Sequence, residues 1–216
     1  EEVLEMKRRG VRRVSVSGGT GSLFGYRNKI NKDAFVEMLS ALCEILGKRN
    51  LSVPDMRVDL VDEEVLAAIR DYTIGWVFFG LETGSDRILK AMRKGVSLKE
   101  NQRAVELAKS LGVRVGGSFI VGYPGESRQD FEETMSFAEE AMLDDVFVSI
   151  AEPIPGTPLA SQILSMPHKD LPLFQDHDGD YKSLKLSEAE TRCFELMLQG
   201  ESCKPMPRAI TNDLYN

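Results

Sequence analysis

Histidine and cysteine are scarce in this chain, and positive charge is outnumbered by negative. The two histidines, His168 and His177, both fall in an irregular C-terminal stretch, so acid–base catalysis by imidazole has little support. Three cysteines, Cys43, Cys193 and Cys203, are odd in number and widely scattered, which fits neither a disulfide framework nor a zinc site. Cys43 sits among Leu39, Leu42 and Leu46 on an apolar helical face and reads as a small buried hydrophobe. No apolar run is long enough to span a bilayer and no signal-peptide pattern opens the chain, so a cytoplasmic protein without a membrane partner is expected. Lys and Arg number 27 against 34 Asp and Glu, a net charge of −7. Nucleic-acid-binding modules are usually basic, so such a partner would have to meet a local patch or a part outside this sequence.

What is present is a regular alternation of strands and helices around residues 76–126. Trp76, Val77, Phe78, Phe79, Gly80 and Leu81 read as a buried strand ending in the polar run Glu82-Thr83-Gly84-Ser85-Asp86. Helical spacing follows in Ile88, Leu89 and Met92, then in Ala104, Val105, Leu107 and Ala108. A second strand over 113–121 closes on Gly122-Tyr123-Pro124-Gly125-Glu126, and a helix over 128–141 burying Phe131, Met135 and Phe137 comes next. Upstream, residues 1–9 read as the end of a helix with no start signal, so the chain is expected to be cut on its N-terminal side. A strand over 11–17 leads into Gly18-Gly19-Thr20-Gly21-Ser22, and a helix runs from about Lys32 to Lys48 until Asn50 stops it. Residues 52–60 form a strand candidate whose first half Pro54 weakens, and Asp62 caps the helix after it. A last strand over 146–151 ends in Glu152-Pro153-Ile154-Pro155-Gly156-Thr157-Pro158. Five strands in strict alternation with helices predict a parallel α/β fold with its ligand site at the strand tips. After Ser161 the pattern lapses. The acidic run 176–180 reads as a solvated loop, and Ser187 with Glu190 as a capping box.

The chemistry-bearing residues gather at those tips: Gly18 and Gly19, Arg57 and Asp59, Glu82 with Thr83 and Ser85, the 122–126 turn, and the 152–157 turn. Carboxylates there could accept hydrogen bonds from ammonium or ribose hydroxyl groups, while turn backbone lines a flat heterocycle. Plainer readings stand beside these. Gly18 and Gly19 could simply make a tight turn, Glu126 could cap the next helix, and Arg57 with Asp59 could be a salt-bridged pair. Glu82, directly after a buried apolar strand, is the residue hardest to assign to structure alone.

Two motifs carry a resemblance. Phe79-Gly80-Leu81-Glu82-Thr83-Gly84-Ser85-Asp86 followed by Met92-Arg93-Lys94-Gly95, and Gly117-Ser118-Phe119-Ile120-Val121-Gly122-Tyr123-Pro124-Gly125-Glu126, are similar to the later part of a radical S-adenosylmethionine (SAM) enzyme core. The branch it most resembles holds methylthiotransferases, Elongator-type acetyltransferases and cobalamin-dependent enzymes. The resemblance runs over residues 1–160 and implies a partial TIM-like (β/α)6 barrel of parallel strands, with a helical and irregular extension over 161–216. It also implies that the first strand and the cluster loop lie outside this sequence. By the same resemblance, Gly18 and Gly19 face the methionine amino group of SAM, Glu82 and Ser85 lie at its polar end, and the strand ending at Gly122, with Glu126, lies against adenine. Pro155 and Gly156 form the last turn near the cofactor, and Arg57 lies among the strand-tip residues. Thr20 stands where the family often carries Glu.

The family's three-cysteine loop, which holds a [4Fe-4S] cluster, has no counterpart here, so no metal ligand and no catalytic residue is assigned within the sequence. The implied cofactors are SAM, a cluster ligated from outside this sequence and, in part of the branch, cobalamin in a separate domain. The implied partner is an electron donor such as flavodoxin or ferredoxin. Two other readings remain: a cluster-free barrel serving as a binding or scaffolding module, and a TIM-like enzyme for a phosphorylated metabolite, which the acidic strand tips disfavour.

Overall fold

The computed structural model describes residues 1–17, 19–26, 30–151, 157–165, 174–175 and 181–182. Gly18, Pro155 and Gly156, both histidines, Cys193, Cys203 and the Ser187 capping box lie outside the described residues. Two compact units form, one of Glu1–Leu81 with Lys99–Gly117, the other of Glu82–Leu98 with Ser118–Asn216.

In the first unit, helix α1 (Glu2–Arg8) has acidic residues in its first turn and basic ones in its last, complementing its dipole. The Lys7 ammonium donates to the carbonyl of Ile45 near the end of α2 (Lys32–Leu46). Helix α2 starts where the Asn31 side chain accepts the Ala34 N–H, and it buries Phe35, Leu39 and Leu46; Cys43 is only half-buried. It ends earlier than the sequence suggests. Gly47 takes φ +84, a conformation open to glycine, and the Asn50 amide then caps the Leu46 carbonyl at 2.8 Å.

Pro54 does more than weaken its strand. It divides the segment into β2 (Leu51–Ser52), parallel to β1 (Val14–Ser15), and β3 (Asp55–Met56), parallel to β4 (Trp76–Glu82). With no N–H to donate, Pro54 offers only its carbonyl, which accepts from Phe78 at 2.7 Å. A 3₁₀ turn, Val58–Leu60, replaces the rest of the expected strand. Asp62 caps α3 (Glu63–Tyr72) as expected, accepting the Val65 N–H at 3.1 Å. Strand β4 then alternates, with Val77, Phe79 and Leu81 fully buried. After α5 (Leu98–Ser110) comes β5 (Arg114–Val121), whose first half lies beside β4 in this unit, the Arg114 N–H meeting the Gly75 carbonyl at 2.9 Å.

The second unit holds the rest of β5, helix α4 (Asp86–Ala91), α6 (Arg128–Glu140), β6 (Asp145–Ile150) and α7 (Pro158–Ser165). Here β5 is flanked by β6, and the Ala151 N–H reaches the Val121 carbonyl at 2.9 Å. Phe119 packs edge-on against Phe137 with ring centroids 6.0 Å apart. Met135 and Phe137 are buried as expected. Phe131 is half-buried, not buried. Two-residue strands β7 (Phe174–Gln175) and β8 (Tyr181–Lys182) pair antiparallel where the composition suggests only loop. No helix among the described residues is long and apolar enough to cross a membrane.

Candidate functional site

The second unit concentrates its polar chemistry where β4 ends and where β5 ends. Glu82, the last residue of β4, takes φ +66, a left-handed backbone that costs a glutamate about 1 kcal/mol. Its carboxylate pairs with the Lys94 ammonium, both side chains being largely shielded from solvent. Strained non-glycine residues persist where the surroundings over-determine them, and Glu82 is such a residue at a strand tip.

Directly after it, a buried hydroxyl chain fixes the turn. Thr134 donates to the Asp130 carbonyl at 2.9 Å, so its oxygen is left to accept from the Thr83 hydroxyl at 2.8 Å and the Gly84 N–H at 3.0 Å. Thr83 in turn accepts the Ser85 N–H at 3.1 Å. The Ser85 hydroxyl is 2% exposed and donates to Asp130 at 2.7 Å.

Asp130 is the hub of this arrangement and carried no functional expectation. It receives both nitrogens of an Arg87 fork, the Ser85 hydroxyl, and the N–H and hydroxyl of Ser127. Burial alone would raise its pKa, but those donors outweigh burial and hold the carboxyl well below the usual range. The signal for it was present in the sequence as Ser127-Arg128-Gln129-Asp130, a capping-box spacing with Asp in place of Glu.

That box removes one of the two readings of Glu126, the helix cap. Ser127, not Glu126, caps α6, and the Glu126 carboxylate turns back to accept the Gly122 N–H on Oε2 at 2.5 Å. Its other oxygen, Oε1, is buried and has no partner among the described residues. Burial pushes the carboxyl up to about 7; the Gly122 N–H and Arg87 oppose the rise, and the negative charge of Asp130 adds to it. Gly122 itself sits at φ +74 and Gly125 at φ +83, so the 122–126 turn depends on glycine at both positions. Two bonds join the two turns: Arg87 to the Gly125 carbonyl at 2.7 Å and the Tyr123 hydroxyl to the Ala91 carbonyl at 3.2 Å.

Of the remaining candidates, the described ones, Gly19, Thr20 and Arg57, belong to the first unit. Arg57 meets Asp59 through Nε and Nη2, each at 2.9 Å, the salt-bridged pair that was one of its two readings. Thr20 opens the 3₁₀ turn Gly21–Leu23, its carbonyl accepting the Leu23 N–H at 3.0 Å. Gly19 is exposed, has no positive φ, and a Cβ built on it would meet nothing within 4 Å. Turn geometry therefore does not demand glycine at that position. Gly19→Ala is expected to change stability by less than about 1 kcal/mol in urea unfolding, and a larger loss would restore the conformational explanation.

The sequence profile of the Radical SAM superfamily matches residues 1–138. The chain belongs to the radical SAM superfamily. A Methanocaldococcus jannaschii protein provisionally named a methylthiotransferase is 55% identical over 216 residues, which is 100% of this chain and 48% of that one. The tRNA-2-methylthio-N(6)-dimethylallyladenosine synthase of Bifidobacterium adolescentis is 29% identical, covering 94% of this chain and 44% of its own. The chain thus spans about half the length of the curated relatives it matches. Among solved structures, the radical SAM methyltransferase TsrM of Kitasatospora setae, with cobalamin and a [4Fe-4S] cluster bound, overlays with TM-score 0.67 at 12% identity, over 90% of this chain and 45% of that one. At that identity the likeness carries the fold alone, an α/β partial barrel.

Radical SAM enzymes pair SAM with a [4Fe-4S] cluster, and the two fit this chain differently. At the tips of β4 and β5 the residues present are compatible with a polar ligand such as SAM: Glu126 Oε1 is buried with no partner among the described residues, beside a turn with glycine at positive φ at 122 and 125. The cluster has no home among the described residues, where no group of three His, Cys, Asp or Glu side chains could hold a metal.

Proposed function

We propose that this chain is the SAM-binding part of a methylthiotransferase-type radical SAM enzyme, with its cluster carried by residues outside this sequence and an RNA nucleoside as substrate. The observation that carries the cofactor assignment is the open Oε1 of Glu126 at the tip of β5. When bound, SAM supplies the 5′-deoxyadenosyl radical on which the family's chemistry depends. The chain's own residues bind and orient it. Glu126 presents a shielded acceptor, the 122–126 backbone lines the base, and Glu82 with its lysine partner sets the charge at the polar end. Ser85 supports the site through Asp130 instead of touching the cofactor with its hydroxyl. For Gly18, Gly19, Thr20, Arg57, Pro155 and Gly156, cofactor contact rests on the family resemblance. An electron donor of the flavodoxin or ferredoxin kind, and in some members a cobalamin domain, complete the assembly.

The RNA assignment draws on the named activity of the tRNA-modifying relatives and on one local feature. Lys7, Arg8, Arg9, Arg12 and Arg13 place five positive charges within seven exposed residues of an otherwise acidic chain. Among the described residues Arg8 and Arg9 reach only Glu5, across surface ion pairs that cost little to exchange for phosphate.

Anaerobic reconstitution of the full-length protein tests the reading. With dithionite, SAM and unmodified tRNA transcripts, mass spectrometry is expected to find 5′-deoxyadenosine and a methylthiolated nucleoside. A colourless protein that leaves SAM intact would support the cluster-free binding module.

A further inference from the structure

We infer that Arg87 and Asp130 form a clasp that positions the Glu126 carboxyl group by holding the 122–126 turn in shape. Its bearing on ligand binding rests on the SAM reading above, whereas the clasp stands on geometry.

Asp130 lies at the start of α6, buried and fixed by the N-cap bonds of Ser127. It is thus a rigid anchor. Arg87, on the first turn of α4, is 58% exposed, so an ordinary ion pair there would add little to global stability. Its fork nevertheless does two jobs. Nε meets Asp130 Oδ1 at 3.1 Å, while Nη2 is shared between Asp130 Oδ2 and the Gly125 carbonyl. Gly125 precedes Glu126, takes φ +83, and has no atom within 4 Å of where a Cβ would be, so side-chain packing does not hold that part of the turn. The turn is held by buried Pro124 and by a short list of polar bonds: Glu126 N–H to the Tyr123 carbonyl at 2.8 Å, the Tyr123 hydroxyl to the Ala91 carbonyl at 3.2 Å, Gly122 N–H to Glu126 Oε2, and the Arg87 fork, which is the bond made at Gly125 itself. Releasing the fork frees the residue next to Glu126, and Oε1 is no longer presented in one place. Nε anchors the guanidinium plane on Oδ1 while Nη2 bridges Oδ2 and the Gly125 carbonyl; a lysine has one nitrogen, a bond short of Nη2, and no second donor to fix its direction.

The test uses the full-length protein with Arg87→Met, Arg87→Lys and Asp130→Asn. Amide hydrogen exchange over residues 122–126 is expected to accelerate about tenfold in Arg87→Met and Arg87→Lys, with the melting temperature nearly unchanged. KM for SAM is expected to rise about tenfold while kcat at saturation stays within about twofold. Asp130→Asn, which also weakens the α6 cap, serves as the variant in which local and global loss go together. Unchanged exchange across the turn in Arg87→Met overturns the clasp, as does full restoration by Arg87→Lys, which would leave charge alone as the cause. Should the wild-type protein fail to bind SAM, the proposed function falls while the exchange data still decide the clasp.

Discussion

Gly84→Ala is expected to lower the melting temperature by about 10 °C or to prevent folding, the largest effect of any single change considered. A Cβ there would stand 2.3 Å from the Glu133 carbonyl oxygen, 2.7 Å from its carbon and 2.8 Å from Thr134 Cα. All three are backbone atoms of a helix, so no rotamer change relieves the overlap. Moving α6 away would stretch the Gly84 N–H to Thr134 bond and the Thr83–Thr134 hydroxyl pair, both buried. Overpacking costs about 1–3 kcal/mol, and each buried hydrogen bond lost adds about 1 kcal/mol, giving a total on the order of 4 kcal/mol. Gly19→Ala, with open space around the same added atom, is the matched control. Thermal unfolding of the two variants should differ sharply, and similar melting temperatures would refute the close approach of the turn to α6.

Glu126→Gln is expected to abolish a pH dependence. In the folded protein the carboxyl titrates near 7, against 4.5 for a free glutamate, a rise of 7 − 4.5 = 2.5. Because the folded state holds the proton more tightly, the stabilisation is fully present below pH 4.5 and is lost as pH rises through 7. At 1.36 kcal/mol for each pKa unit the loss is about 3 kcal/mol. Glutamine mimics the protonated form and still offers an oxygen to the Gly122 N–H. Urea unfolding at pH 5, 6, 7 and 8 should show the variant level where the wild type declines, and more stable than the wild type at pH 8. Asp130 does not confuse the result, since its carboxyl is held ionised throughout this range. Parallel stability curves for the two proteins would show that Glu126 is not buried as described.

The strand tips could be read from the sequence because each is a local event. An apolar run such as 76–81 stops at a carboxylate, and the 122–126 turn announces itself by two glycines and a proline. What joins the tips could not be read that way. Asp130 lies 43 residues from Arg87, and Thr134 lies 50 from Gly84, separations at which local pattern carries no information. The left-handed backbone of Glu82 was hidden for a related reason: its φ is imposed by surroundings, not by the residue's own preference. Pro54 shows the opposite case. Its missing donor was legible, yet its consequence depended on which partners flanked it, since β2 and β3 pair with different strands. Ser85 adds a further long-range case: its hydroxyl donates to Asp130, 45 residues on, a partner that nothing in the local sequence announces.

Hydrogen exchange of the full-length protein with and without SAM tests the central claim most directly. Added SAM is predicted to slow exchange at 82–85 and at 122–126, and Glu126→Gln should weaken the effect at both. Protection confined to other parts of the chain, or none at saturating SAM, would contradict the placement of the cofactor at the tips of β4 and β5.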